Sequence, residues 1–269
     1  MNSFQYLRPA SVADAARALS AAGATAIAGG HTLIPTMKQR LAKPAVLVDL
    51  GGIAELKGIR RDGAAIVIGA GVTHAEVAAN SDVKAAIPAL AQLAGGIGDP
   101  QVRNRGTIGG SVAANDPAAD YPAAVLGLGA TVITNKRKIE ADKYFTGLFS
   151  TALQPGEIIT AVSFPVPERA GYAKIEQRAS RYCLVSVFIA KTKGGMFSSP
   201  EVRVAVSGAG VNGVFRVAAI EQALKADFSA NAITAVKVPE TGLMSDMHGS
   251  AAYRAALILV MAGKALAAA

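Results

Sequence analysis

Apolar residues near the N-terminus recur with the period of a helix. Val12, Ala15, Ala16 and Leu19 fall on one face, Ser11 stands at the N-cap with Asp14 three positions on, and Gly23 closes the run. A short apolar run at residues 25–28 predicts a strand, residues 33–40 predict a short helix with Lys38 and Arg40, and the β-branched run at 46–50 predicts a buried strand. These pieces make a strand-loop-helix-strand unit over residues 1–52.

The pattern then restarts. Residues 53–59 and 65–68 predict strands about a turn at Arg61-Asp62-Gly63, and Thr73-His74-Ala75-Glu76 is a capping box opening a helix to Ala79. Pro88 sits in the first turn of a further helix reaching Leu93, residues 125–134 and 158–164 read as strands, and Pro165 and Pro167 mark a boundary. Past the prolines, residues 171–177, 184–191 and 202–207 read as strands, and 217–224 and 250–266 as helices. That predicts an antiparallel sheet with helices on one side. The expected fold class is α+β: a first domain over 1–165 in two α/β subdomains, about 1–52 and 53–165, and a C-terminal antiparallel-sheet domain over 170–269.

Mean hydropathy is high, +0.35, which raises the question of a membrane span. One long uncharged run, residues 121–135, has 15 residues and holds Pro122, Gly127 and Gly129. A spanning helix needs about 20 apolar residues, so no transmembrane segment is expected and the run reads as a buried strand region. Asp14 and Arg17 interrupt what would be the apolar core of a secretion signal, and the expected location is cytoplasmic. A single cysteine, Cys183, leaves no internal disulfide, no cluster ligated by cysteines of this chain and no such zinc site. It is expected to pack as a small hydrophobe.

The net charge of +8 invites a nucleic-acid partner. The basic residues are dispersed, though. The densest cluster, Lys136-Arg137-Lys138, reads as a solvated hairpin, and with no tryptophan a base-stacking platform lacks its residues. No nucleic-acid partner is expected. Three scattered histidines give no metal-ligand spacing, so no metal site is expected; His74 reads as a surface helix residue and His248 as a loop residue. No nucleophile elbow and no acid–base pair stand out, so no catalytic residue is assigned.

Candidate chemistry gathers from Arg103 to Pro122. Gly106, Gly109 and Gly110 lie within five residues, Arg103 and Arg105 stand beside them, and Asn115, Asp116 and Asp120 follow. Glycines let consecutive backbone N–H groups turn inward around an anion, and an ionised carboxylate accepts hydrogen bonds from sugar hydroxyls. Such a stretch suits a pyrophosphate and its ribityl or ribose arms; it also spells a Gly-rich turn leading into a capped helix. A second glycine pair, Gly29-Gly30, follows the apolar run and leads through His31 and Thr32 into Leu33. Two such loops can clamp one diphosphate from both sides. Gly208-Ala-Gly-Val-Asn-Gly213 matches the dinucleotide fingerprint G-x-G-x-x-G, but no helix opens within it and its flanking strands look antiparallel, so it reads as a turn. Gly69-Ala-Gly-Val-Thr-His74 is a near miss.

Ala28-Gly-Gly-His-Thr-Leu-Ile-Pro, Leu41-Ala-Lys-Pro-Ala-Val-Leu-Val-Asp-Leu, Arg103-Asn-Arg-Gly-Thr-Ile-Gly-Gly-Ser and Asp116-Pro-Ala-Ala-Asp resemble the FAD-binding (medium) subunit of molybdenum hydroxylases of the carbon monoxide dehydrogenase and xanthine dehydrogenase type. The resemblance implies an FAD-binding domain of the p-cresol methylhydroxylase/vanillyl-alcohol oxidase type over 1–165, followed by the C-terminal domain of the same subunits. It implies non-covalent FAD, with Ala28, Gly29, Gly30, His31, Thr32 and Leu33 in one loop and Thr107, Ile108, Gly109, Gly110 and Ser111 in the other. Asp116 and Asp120 would sit beside the sugar or ribityl arm.

Within a segment resembling the family's R-x-x-D-Y-A, Tyr182 would shield the flavin ring, Arg181 stands where the acid is usual and Cys183 where alanine is. Lys174 and Arg178 would approach the flavin edge. The implied function is electron transfer: a molybdopterin-containing large subunit oxidises substrate, a [2Fe–2S] small subunit carries the electrons, and this FAD passes them to an external acceptor. The implied assembly is a heterotrimer, doubled. Two other readings stay open: a nicotinamide-dependent dehydrogenase using the glycines from Gly208 to Gly213, and a non-catalytic basic binding module.

Overall fold

A computed structural model describes residues 1–193 and 200–269. The chain opens with β1 (Gln5–Leu7), α1 (Val12–Leu19), β2 (Ala24–Ile27), α2 (Leu33–Lys38) and β3 (Val46–Asp49). Ser11 caps α1, its hydroxyl accepting from Asp14 N at 3.1 Å. The three strands form a parallel sheet in the order β1-β3-β2. Central β3 buries Leu47 and Val48, hence its unbroken apolar run, whereas edge strand β1 is largely exposed and has no pattern to reveal it. The loop from β2 to α2 leaves the carboxyl end of the sheet, where open α/β sheets place their ligands.

The second part contains β4 (Ile59–Asp62), β5 (Ala65–Gly69), α3 (His74–Ala79), α4 (Ser81–Ala86), α5 (Pro88–Gly95), α6 (Pro100–Arg103), α7 (Ile108–Ala114) and α8 (Tyr121–Gly127). After these come β6 (Thr131–Thr134), β7 (Lys138–Glu140), α9 (Ala141–Tyr144), β8 (Phe145–Gly147), β9 (Ser150–Thr151) and β10 (Ile159–Pro165). Its main sheet runs β4-β5-β10-β6-β7, antiparallel throughout.

Two expectations need correction here. The strand read over 53–59 is instead a 3₁₀ turn, Ala54–Leu56, with Leu56 buried, and the strand starts only at Ile59. The strand read over 125–134 is the end of helix α8 followed by β6. Every residue of α8 is buried, so the run lacks helical periodicity, and a continuous apolar stretch does not by itself separate strand from helix. Pro122 in its first turn and Gly129 at φ +61° were the local signs of its start and stop.

The remainder is β11 (Arg169–Glu176), β12 (Cys183–Lys191), β13 (Val202–Ser207), β14 (Phe215–Arg216), α10 (Ala218–Ala226) and α11 (Ala251–Ala267). The sheet runs β11-β12-β13-β14, antiparallel. Residues from α10 and α11, among them Ile220, Ile258 and Met261, pack on one face. The prediction of helices on one side holds for this segment's own helices, but the other face is covered too. Tyr172, Phe188, Ala190 and Ala205 share a core with Leu126 of α8, and a Cβ on Gly127 would stand 3.1 Å from the Phe188 ring. With both faces buried, β12 is apolar at nearly every position. Buried Arg203 strengthens the joint: its Nε donates to Leu126 O at 2.9 Å and its Nη2 reaches Asp142 at 2.6 Å.

Arg254, 2 % exposed, pins α11 to the sheet. Its Nη1 donates to Leu184 O (2.9 Å) and Gly208 O (2.5 Å), and its Nη2 to both oxygens of Asp246 at 2.8 Å. Removing the guanidinium leaves buried carbonyls without donors, so Arg254→Met should lower the unfolding free energy by roughly 2 kcal/mol. A urea transition unchanged from the parent would show that this residue does not anchor the helix.

Candidate functional site

The two glycine loops touch. A Cβ on Gly29 would run into Arg105 O and stand 2.7 Å from Gly106 Cα, so only glycine permits the contact. Gly30 has φ +76°, turning the chain out of β2 and into α2. Among the described residues, the backbone N–H groups of Gly29, Gly30, His31, Thr32 and Leu33 meet no acceptor within the chain. The loops border a single cavity of about 810 Å³.

The second loop differs from its expected role. Ile108 N donates to Val72 O (3.1 Å), Gly109 N to Ala70 O (2.9 Å), Gly110 N to the Thr107 hydroxyl (3.2 Å) and Ser111 N to Thr107 O (3.0 Å). Its backbone donors are therefore engaged in joining the loop to residues 70–74 and in starting α7, rather than pointing into an anion nest. Gly109 is required because a Cβ would lie 2.5 Å from that of Ala70. Thr107, Gly109, Gly110 and Ser111 border the cavity, while Ile108 turns into the core.

Asp116 and Asp120 both line the cavity. Asp116 Oδ1 accepts from Ala118 N at 2.9 Å. Asp120 is buried, takes a hydrogen bond from the Tyr172 hydroxyl, and pairs with Lys174 Nζ at 3.1 Å. Burial pushes the Asp120 carboxyl upward, against the pull of the Lys174 ammonium and the Tyr172 hydroxyl. Lys174 does not itself reach the cavity: its ammonium also donates to Gly96 O (2.9 Å) and Arg181 O (3.2 Å), holding Asp120 from behind. Tyr182, half-exposed, lines the cavity at the start of β12. Arg103 is folded back onto Ile97 O (3.1 Å) and Gly98 O (2.9 Å), so of the two arginines flanking the glycines only Arg105 borders the cavity. Cys183 is buried against Ala118 O, as its packing role requires.

His74 is not on the surface. Its capping box forms as expected, with Thr73 and Glu76 exchanging bonds, but the ring is buried beneath the second loop. A Cβ on Gly106 would lie 2.5 Å from His74 Nε2, and the ring sits 5.3 Å from that of Tyr121. Burial, with the charges of His31 and Arg103, lowers its pKa to about 4.

The cavity wall also includes residues to which the sequence assigned no role in the site: Asp49 at the end of β3, Leu50 and Gly51 after it, Lys57, and Ala70, Gly71 and Thr73 after β5. The near-miss motif from Gly69 to His74 therefore borders the site. The available signal was positional, since β2 and β3 also deliver their carboxyl ends to one crevice. Gly208 to Gly213 joins antiparallel β13 and β14 with no helix opening in it, and it lies away from the cavity. Among the described residues no helix is long and apolar enough to cross a membrane.

Comparison with known proteins identifies this arrangement. The family described as FAD binding domain in molybdopterin dehydrogenase matches residues 2–167. The carbon monoxide dehydrogenase medium chain of Afipia carboxidovorans is 41% identical over 72% of this chain and 70% of its own length. The nicotine 6-hydroxylase medium subunit of Paenarthrobacter nicotinovorans is 37% identical over 94% and 93%. A solved carbon monoxide dehydrogenase from Hydrogenophaga pseudoflava, lacking the Mo-pyranopterin moiety of its cofactor, superposes with a TM-score of 0.86 at 33% identity, covering 100% of this chain and 97% of that one. The chain belongs to the family of FAD-binding medium subunits of molybdenum hydroxylases, and it is an oxidoreductase subunit. FAD is that family's cofactor, and the cavity fits it. The first loop offers free N–H donors, glycine clears the contact between loops, and the volume lies within the range of about 300–1,000 Å³ usual for ligand pockets.

The buried imidazole gives the fold a pH signature. The folded protein resists protonating His74 until about pH 4, whereas an unfolded chain takes the proton near the ordinary value of 6.5. Stability should fall as pH drops through that interval, and His74→Gln should flatten the fall. Thermal melts across the interval check this; an unaltered slope in the variant would refute it.

Proposed function

We propose that this chain binds FAD non-covalently and serves as the electron-transfer subunit of a cytoplasmic molybdenum hydroxylase complex. It takes electrons from a [2Fe–2S] subunit, which a molybdopterin-containing large subunit supplies, and hands them to an external acceptor. Bound FAD supplies the exchange of electrons one or two at a time; the protein supplies position and electrostatics. The free N–H groups of Gly29 through Leu33 would hold the diphosphate, and Arg105 would add charge. Asp120, oriented by Tyr172 and Lys174, would accept from a sugar or ribityl hydroxyl, and Tyr182 would cover the ring at the cavity edge.

The observation that carries this reading is the contact of Gly29 on Arg105 and Gly106 beside a row of free backbone donors. The relatives support it at a coarser level, because medium chains of complexes named for carbon monoxide and for nicotine resemble this chain alike. Selection of the oxidised molecule then falls to a partner subunit. Neither a nicotinamide enzyme nor a non-catalytic basic module accounts for the two touching loops.

Purified chain should take up FAD one to one. Gly29→Ala should weaken retention by roughly 100-fold, since it separates the loops, whereas Gly110→Ala should cost within about tenfold, as its Cβ meets only the Thr107 hydroxyl at 2.9 Å. Flavin fluorescence titration checks both, and equal retention in parent and Gly29 variant would overturn the assignment. Acid precipitation should release all flavin into solution; colour kept on the protein would point to a covalent link through His31.

A further inference from the structure

The turn between β11 and β12 carries Arg178, Ser180, Arg181 and Tyr182 on the surface, and the last three line the open edge of the cavity. Arg181 has φ +60°, a left-handed conformation that long side chains rarely adopt. Its surroundings impose it. Arg181 N donates to Gln177 O at 2.8 Å, Gln177 N to Tyr182 O at 2.9 Å, and Lys174 Nζ to Arg181 O at 3.2 Å. Such a backbone persists where neighbours over-determine it and collects at functional sites.

The charges at this edge are unevenly engaged. Asp99 accepts from Val102 N (2.9 Å), Asp116 from Ala118 N (2.9 Å), and Asp120 holds Tyr172 and Lys174. Elsewhere Arg137, Arg203, Arg216 and Arg254 are paired with carboxylates. Among the described residues Arg178 and Arg181 make no salt bridge, and the Arg181 guanidinium gives one long bond, 3.4 Å, to Gly98 O. Glu176 in the turn and Asp99 beside it, whose carboxyl is drawn down by the Val102 amide and then by the charges of Arg103 and Arg181, offset part of this charge, and the turn itself stays net positive. Free guanidinium donors beside an exposed aromatic ring at a cavity mouth suit phosphate or carboxylate groups.

We propose that the external electron acceptor is a small anion-bearing molecule drawn in and seated by Arg178 and Arg181. This rests on the FAD-relay reading above. Two electrons leave the reduced flavin and its protons pass to acceptor or water; a two-electron acceptor takes both electrons, and one-electron acceptors are consumed in pairs.

The sequence contains no tryptophan, so Tyr182→Trp places a single tryptophan at the mouth. In that flavin-free variant, the ratio of iodide to caesium quenching should exceed that of free N-acetyltryptophanamide about threefold, and adding Arg178→Glu with Arg181→Asp should bring it below that reference. In a second readout, FAD-loaded chain without the tryptophan is photoreduced without oxygen and mixed with ferricyanide or a neutral benzoquinone. Charge reversal should slow ferricyanide about tenfold while leaving the quinone within about twofold, and salt should erode the parent's advantage. Arg178→Gln with Arg181→Asn, which removes charge where asparagine tolerates the backbone, should move both readouts in the same direction by less.

A quenching ratio equal to that of the free indole, or equal slowing of the two oxidants, overturns the proposal. A parent chain that takes up no flavin brings down the relay reading and this proposal with it. A flavin-loaded chain whose reoxidation ignores charge brings down only the anionic acceptor.

Discussion

The site depends on a backbone-to-backbone contact between segments about eighty residues apart. Gly29 lies against Arg105 and Gly106, and any side chain there would hold the two loops apart. The contact brings together a loop with free N–H groups and a loop whose N–H groups are engaged. The engaged loop is the rigid one: it is bonded to Ala70, Val72 and His74, and so to β5, an inner strand of the second part's main sheet. The free loop is braced on it. One wall thus supplies stiffness and the other supplies donors, a division the glycine content of either stretch alone does not disclose.

The same economy governs the charges around the cavity. A buried carboxylate is tolerable when paired and hydrogen-bonded, and Asp120 has both partners, from a strand belonging to the C-terminal sheet. Glu157, also on the wall, is fixed by Arg137 at 2.9 Å and by the Thr134 hydroxyl at 2.8 Å, which hold its pKa down to about 2. His74 stays neutral because it is buried. Glu157 and His74 are thereby each held in one charge state across the neutral range.

Much of this was legible in the sequence, for identifiable reasons. Ser11 and Thr73 declared their helices because a cap is a local device, satisfied within four residues. Three strands of the C-terminal sheet were readable to within two residues at either end because β-branched runs are bounded by turns, whereas β14, only two residues long, carried no pattern to read. The first glycine stretch was found as a loop and the second proved to be the first turn of α7, but which of them keeps its N–H groups free depends on Ala70 and Val72, far away in sequence. His74 was misplaced for the same reason: its helix start is local, its burial depends on Gly106 and Tyr121. Helix α8 was lost because burial on every side erases the periodicity that marks a helix.

The joint between the two parts follows from these placements. Asp120 begins α8, and α8 packs on β12 and β13 while Lys174 and Tyr172 reach back to that aspartate from β11. The residue lining the cavity is thereby also the residue that ties the C-terminal sheet to the domain holding both loops. Lys174 extends the tie to the carbonyl of Arg181, and so to the turn that carries Tyr182. A displacement of the C-terminal sheet would then move the Asp120 carboxylate and the Tyr182 ring together, because one ammonium holds both. Cavity wall and cavity edge behave as a single mechanical unit, built from one buried ion pair rather than from a separate lid.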